Sequence, residues 1–177
     1  MPRIPYLPLD IQEPKASVDA VRARRGGTLL NLDRILLYSP ALSAGWNQML
    51  GAIRTQLNLD PKLREMAMCV VASINNAPYE FHHHAPLFIE AGGSQAQADA
   101  LKDPIAALSN VALRFTPTEL AALAMSIEST RDVKISDATF AQAKALLSEQ
   151  SLVELVATIG AYNLVSRFLV AFGVEPE

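Results

Sequence analysis

From Leu29 onward the apolar positions recur every three or four residues, the period of helices buried along one side. "SPALSAGWNQMLGAIRTQL" sets Ser39 before Pro40, a cap position followed by a first-turn proline, and then aligns Leu42, Trp46, Leu50 and Ile53 on one face. "LDPKLREMAMCVVASI" repeats the device with Asp60 and Pro61 and predicts burial of Leu63, Met66 or Ala67, Val70 and Ile74. The following run, "NNAPYEFHHHAPLF", predicts a helix stopped by Gly92 and Gly93, with Phe81, Ala85 and Phe88 as its apolar stripe. Ser94 and Gln97 have capping-box spacing for a short helix through Leu101. "TPTELAALAMSIEST" and "SDATFAQAKALLSEQ" predict two more amphipathic helices, with residues 102 to 118 as a connector. The last helix, roughly Ser151 to Phe172, is apolar around most of its circumference and is expected at the centre or clamped between subunits. No alternating strand pattern competes with this reading. The expected fold class is all-α, a single compact helical domain of about seven helices.

Residues 1–27 break the pattern, with four prolines by position 14 and then "RRGG". They are expected to form an irregular N-terminal arm, disordered or wrapped over a neighbouring subunit, leaving residues 28–177 as the helical domain.

The 177 residues are enough for one domain with a real core, and half of them are apolar. A net charge of −3 without a long basic run argues against nucleic acid as a partner. "RARR" (Arg22, Arg24, Arg25) is too short to change that and reads as a solvated or interface segment. Cys69 is the one cysteine and lies in the apolar run "MAMCVVASI", the setting of a buried, inert thiol. Neither a signal-like segment nor an 18-residue apolar span was expected from this pattern, so the predicted setting is soluble and cytoplasmic, with no membrane partner.

The chemistry concentrates in residues 79–84. On a helix Glu80 shares a face with His83 and His84, while His82 points about 100° away per residue step. A carboxylate beside an imidazole fixes its tautomer and makes an acid–base pair that works near neutral pH. Glu65 interrupts the preceding amphipathic pattern and reaches the same crevice if the two helices pack antiparallel. The alternatives are a metal site, which adjacent, diverging histidines serve poorly and for which HExxH spacing is absent, and a set of purely structural hydrogen bonds. Tyr79 is a candidate donor or a packing residue. Arg54, Arg64 and Arg167 are candidate cations for an anionic substrate. Arg167 stands in an apolar helix and calls for a partner, with Tyr162, Asn163 and Ser166 nearby in sequence.

"RGGTLLNLDRILLYSPALSAGWNQMLGAIR", "LREMAMCVVASINNAPYEFHHHAP" with "EAGGS", and "VELVATIGAYNLVSRFLVAF" together resemble the carboxymuconolactone decarboxylase and alkylhydroperoxidase D superfamily. The resemblance runs from about Arg25 to Gly173. The peroxidase branch of that family carries a glutamate, then after eleven residues a Cys-x-His-Cys, then three residues on a histidine. Counted from Glu65, those positions hold Ala77, Tyr79, Glu80 and His84. Both redox cysteines are missing, which argues against peroxide reduction because that chemistry needs a thiolate and a resolving thiol. Tyr79, Glu80, Phe81 and His84 instead match the "YE-aromatic-x-x-His" segment of the decarboxylase-like branch.

The resemblance implies an alkylhydroperoxidase D-like fold and cofactor-free, metal-free proton-transfer chemistry on a small carboxylic acid, a carboxylated lactone or dienoic acid from aromatic-ring degradation. His84 or His83 would be the general acid, with Glu80 and Glu65 setting its protonation and orientation, and Tyr79 donating to a developing enolate oxygen. It also implies a homo-oligomer, trimer or hexamer. Lactone or methyl-ester hydrolysis and dienoate isomerisation use the same groups and remain open at this stage. A thiol peroxidase dependent on Cys69 and a non-catalytic oligomeric scaffold complete the set of alternatives.

Overall fold

The computed structural model describes residues 1–177 and resolves the chain into two compact units, Met1–Leu57 with Ala171–Glu177, and Asn58–Val170. The first holds α1 (Lys15–Arg25), α2 (Asn31–Leu36) and α3 (Pro40–Thr55). The second holds α4 (Pro61–Ile74), α5 (Pro78–Glu90), α6 (Gln95–Ala100), α7 (Pro104–Ser109), a 3₁₀ turn (Val111–Leu113), α8 (Pro117–Asp132), α9 (Asp137–Leu146) and α10 (Glu149–Phe172) up to Val170. The chain is thus all-α, with α1, α2 and α7 added to the seven helices expected. Two of those three are six residues long, too short for a 3.6-residue period to show in sequence.

The expected irregular arm is corrected over its second half. Its second half is α1, which buries Val18 and Val21 three positions apart and ends on Gly26 at φ +72°, a left-handed cap that glycine adopts without strain. Its first half lies against its own chain. Leu7 and Ile11 pack on the cluster of Val18, Val21, Leu29 and Leu37, Tyr38 donates to the Pro5 carbonyl, and Tyr6 accepts from the Glu175 amide. The "RARR" segment also has internal work: Arg24 and Arg25 both pair with Asp33, which is 1 % exposed. On α3 the buried face is Ser43, Trp46, Leu50 and Ile53. Leu42 is exposed there, because the three-residue step back from Trp46 reaches Ser43.

In the second unit α4 is buried on nearly every side and packs against α5 and α8. The chain reverses between α4 and α5 at Asn76, whose φ of +52° is a left-handed value that asparagine tolerates better than most residues. α10 bonds to residues that flank α4 at either end. Glu154 near its start accepts from the Leu59 amide at 2.7 Å, and Asn163 further along accepts from Asn75 at 3.0 Å. By length and composition α10 could cross a membrane, contrary to the sequence expectation that no such span exists. Its buried face carries Glu154, Thr158, Asn163 and Ser166, each hydrogen-bonded inside the chain, as in the core helix of a globular fold.

After α5, Gly92 takes φ +99°, and at Gly93 a Cβ would lie 2.3 Å from the Phe88 ring. This pair of glycines lets the chain turn tightly over a fully buried phenylalanine.

Candidate active site

The buried residues of α5 include Glu80, His84 and Phe88, spaced four apart. The stripe expected from hydrophobicity, Phe81, Ala85 and Phe88, holds only at Phe88; Phe81 and Ala85 are half-buried. Two ionisable residues thus take interior positions that a hydrophobic pattern would give to apolar ones. They persist there because each has a partner on another helix.

For His84 that partner is Glu65, in the second turn of α4. Nδ1 of His84 lies 2.7 Å from Oε2 of Glu65, and both side chains are buried. The other carboxylate oxygen accepts from Arg64 Nε at 3.1 Å. Burial by itself would raise the Glu65 carboxyl. The hydrogen bond and charge of His84, with Arg64 added, outweigh that and hold it below the usual carboxylate range. Tyr162 of α10 sets the edge of the ring system, 4.9 Å from His84 at an interplanar angle of 85°.

For Glu80 the partner is Ser166 of α10, whose Oγ donates to Oε2 at 2.9 Å, with both groups buried. Four residues separate Tyr162 from Ser166 on α10 and Glu80 from His84 on α5, so matching turns of the two helices meet. From sequence alone Tyr162 and Ser166 are candidate partners of Arg167. The equal four-residue spacing was the one available signal that they face α5.

The three histidines occupy three settings. His82 is exposed, and its ring meets His83 edge-on at 5.2 Å; His83 packs on Tyr79 at 4.4 Å; His84 turns inward to Glu65. Nowhere are three or more His, Cys, Asp or Glu side chains gathered in a metal-holding arrangement. Tyr79 is buried in the first turn of α5.

The candidate cations are dispersed. Arg64 is engaged by Glu65. Arg54 ends α3 in the first unit, where its charge acts on Arg24. Arg167 is exposed, and its Nη1 donates to the Asn163 carbonyl at 3.2 Å and to Asn163 Oδ1 at 3.4 Å. Its partner is therefore an amide on its own helix. Asn163 in turn donates to Thr130 and to the Ile159 carbonyl and accepts from Asn75. Cys69 is buried in α4, and burial together with the charges of Glu65 and Glu80 pushes its thiol far above the ordinary range.

Residues 40–113 match the sequence model of the carboxymuconolactone decarboxylase family. No curated protein matches the chain significantly. Among solved structures, an uncharacterized peroxidase-related protein from Silicibacter sp. TM1040 is 17 % identical with a TM-score of 0.80, over 99 % of this chain and 94 % of that one. A variant of the debrominase Bmp8 in complex with 2,3,4-tribromopyrrole is 15 % identical with a TM-score of 0.80, over 100 % of this chain and 94 % of that one. An uncharacterized peroxidase-related protein from Ralstonia eutropha JMP134, with an alkylhydroperoxidase AhpD core, is 16 % identical with a TM-score of 0.79, over 99 % and 92 %. At these identities the likeness speaks for the fold.

Proposed function

We propose that this chain, a member of the carboxymuconolactone decarboxylase and alkylhydroperoxidase D superfamily, is a cofactor-free acid–base enzyme of the decarboxylase type. Its substrate class is a carboxylated lactone or dienoic acid from aromatic-ring degradation. The observation that carries this reading is the buried 2.7 Å pair of His84 and Glu65 with Glu80 one turn away on the same inner face.

Glu65 engages Nδ1 and offers counter-charge to an imidazolium, so Nε2 is the nitrogen that delivers the proton. In a β,γ-unsaturated lactone acid the bond to the carboxylate carbon breaks and CO2 leaves. The electron pair enters the conjugated system, and His84 protonates the distal carbon. Solvent then returns the proton to the imidazole. Glu80 is a second carboxylate that orients the face and balances its charge, and Tyr79 donates to the developing enolate oxygen. Arg167 is the cation we assign to the substrate's carboxylate. Its guanidinium has five N–H donors and stands exposed one residue beyond Ser166, whereas Arg64 is bound to Glu65. Cys69 takes no part, since a thiol pushed up by burial and two carboxylates does not supply the thiolate that peroxide reduction needs.

The proposal extends to a cytoplasmic homo-oligomer, trimer or hexamer, for which the exposed Val153, Val156, Leu164 and Val170 on α10 offer apolar surface. A monomer in sedimentation at micromolar concentration would remove that part. The reaction is tested on a panel of unsaturated lactone acids and dienoic acids, following CO2 release and ultraviolet absorbance. His84→Ala should lower turnover by roughly 100-fold or more, and Glu80→Gln should lower it as well. Unchanged turnover of every substrate in both variants sinks the acid–base reading. Substrate loss without CO2 release would assign the same residues to hydrolysis or isomerisation and sink the decarboxylase assignment.

A further inference from the structure

Two serines and a threonine in the core helices of the second unit are fully buried, and they behave differently. Ser126 donates to the Ala122 carbonyl and Thr158 to the Glu154 carbonyl, both at 2.7 Å and both four residues back on their own helix. That back-bond is the default for a buried helical hydroxyl, because the i−4 carbonyl is always within reach. Ser166 departs from it. Its single hydroxyl proton goes across the interface to Glu80 Oε2 at 2.9 Å.

Glu80 occupies the first turn of α5, where the helix N-terminus favours negative charge. The ionisable groups that α4 and α5 turn toward this region are Glu65, Cys69 and His84. The two carboxylates are kept on separate partners, Glu65 on His84 and Arg64, Glu80 on Ser166. A hydroxyl donor on one oxygen of a buried carboxylate fixes where that oxygen points and favours the charged form over the neutral one.

We propose that Ser166 is the positioning residue for Glu80: it fixes the carboxylate's rotamer between α5 and α10 and acts on the reaction only through it. The catalytic consequence rests on the acid–base reading above; the positioning itself does not.

The test follows the side-chain carboxyl carbon resonances of the glutamates against pH, with Glu80 assigned by its disappearance in Glu80→Gln. Ser166→Ala removes the donor, and a hydrogen bond donated to the charged form favours that form. The Glu80 midpoint is therefore expected to move to higher pH in Ser166→Ala and to return toward the parent in Ser166→Thr, which restores the hydroxyl. Turnover in Ser166→Ala is expected to fall about tenfold in kcat with KM little changed, the loss of one hydrogen bond of about 1.4 kcal/mol.

An unmoved Glu80 midpoint in folded Ser166→Ala overturns the proposal. So does failure of both Ser166 variants to fold while Glu80→Gln folds, because the hydroxyl would then serve the fold and not the carboxylate. A moved midpoint with fully active Glu80→Gln would leave the positioning standing and sink Glu80's part in catalysis. An unmoved midpoint with inactive Glu80→Gln would do the reverse.

Discussion

The Glu65–His84 pair can be broken one side at a time, which makes its energy measurable. The perturbation is Glu65→Gln, His84→Gln and the double variant, three proteins of nearly unchanged shape. The contact is 2.7 Å, and the two side chains are 4 % and 8 % exposed. With the imidazole protonated, opposite charges about 4 Å apart attract by about 4 kcal/mol at an effective dielectric of about 20. Desolvation of each ion opposes this in the intact protein, but each single variant already carries its own desolvation change, so the cycle isolates mainly the attraction.

Arg64 lies 3.1 Å from the other Glu65 oxygen and takes up part of the charge when His84 is gone. That reduces the expected coupling to about 2–3 kcal/mol. Each single substitution removes a partner from a buried side chain, with Arg64 still on Glu65 in His84→Gln, and should cost up to about 3 kcal/mol, a fall in Tm of at most roughly 6–12 °C for a chain of this length. The assay is urea denaturation at pH 7. A coupling below about 0.5 kcal/mol, the level at which independent sites add, would refute the reasoning.

The pH dependence has a fixed sign. Glu65 is held below the ordinary carboxylate value of 4.5, so its stabilisation is fully present above that pH and is lost as pH falls through the folded value. The share of the coupling that depends on an ionised Glu65 should therefore be fully present above about pH 4.5 and shrink in stronger acid. A coupling that grew on acidification below that point would be inconsistent with an ionised Glu65.

Two further outcomes follow from the packing. Cys69 should resist an aromatic disulfide reagent at pH 8 until denaturant is added, and Cys69→Ser should leave turnover unchanged; rapid native labelling, or loss of activity in a stable Cys69→Ser protein, would contradict the buried, raised thiol. Gly93→Ala sets a Cβ 2.3 Å from a Phe88 ring that has no exposed side to move toward, and overpacking of this kind costs about 1–3 kcal/mol; Gly45→Ala, with nothing within 4 Å, is the control and should be neutral or stabilising in calorimetry.

Helices with a proline or a polar cap at the start were legible in the chain. α4 begins at Pro61 after Asp60, α6 carries the Ser94–Gln97 box, and α8 starts at Pro117 after Thr116. α2 and α7 were not, since six residues give fewer than two turns of pattern; α6 is equally short and showed only through its box. The faces were harder than the elements. A hydropathy reading turns polar residues outward, and it fails where a polar side chain is buried: at Ser43 on α3, and at Glu80 and His84 on α5, which have partners on other helices. The Glu65–His84 contact was reachable from sequence only by supposing an antiparallel α4–α5 hairpin. The Ser166–Glu80 contact joins residues 86 apart, and no local pattern encodes it.

Cys69 is the one thiol in the neighbourhood, and its environment works against its ionisation. A reactive thiolate needs adjacent positive charge or a helix N-terminus. Cys69 sits within reach of the fields of Glu65 and Glu80, and both disfavour its ionisation. Those carboxylates are tolerable in the interior because His84, Arg64 and Ser166 engage them. The arrangement that suits a proton-bearing imidazole therefore works against a thiolate at Cys69. Restoring cysteines at Ala77 and Glu80 would remove one of the two opposing charges and leave the other on Glu65, so the pair of thiols alone would not reverse the site's chemistry.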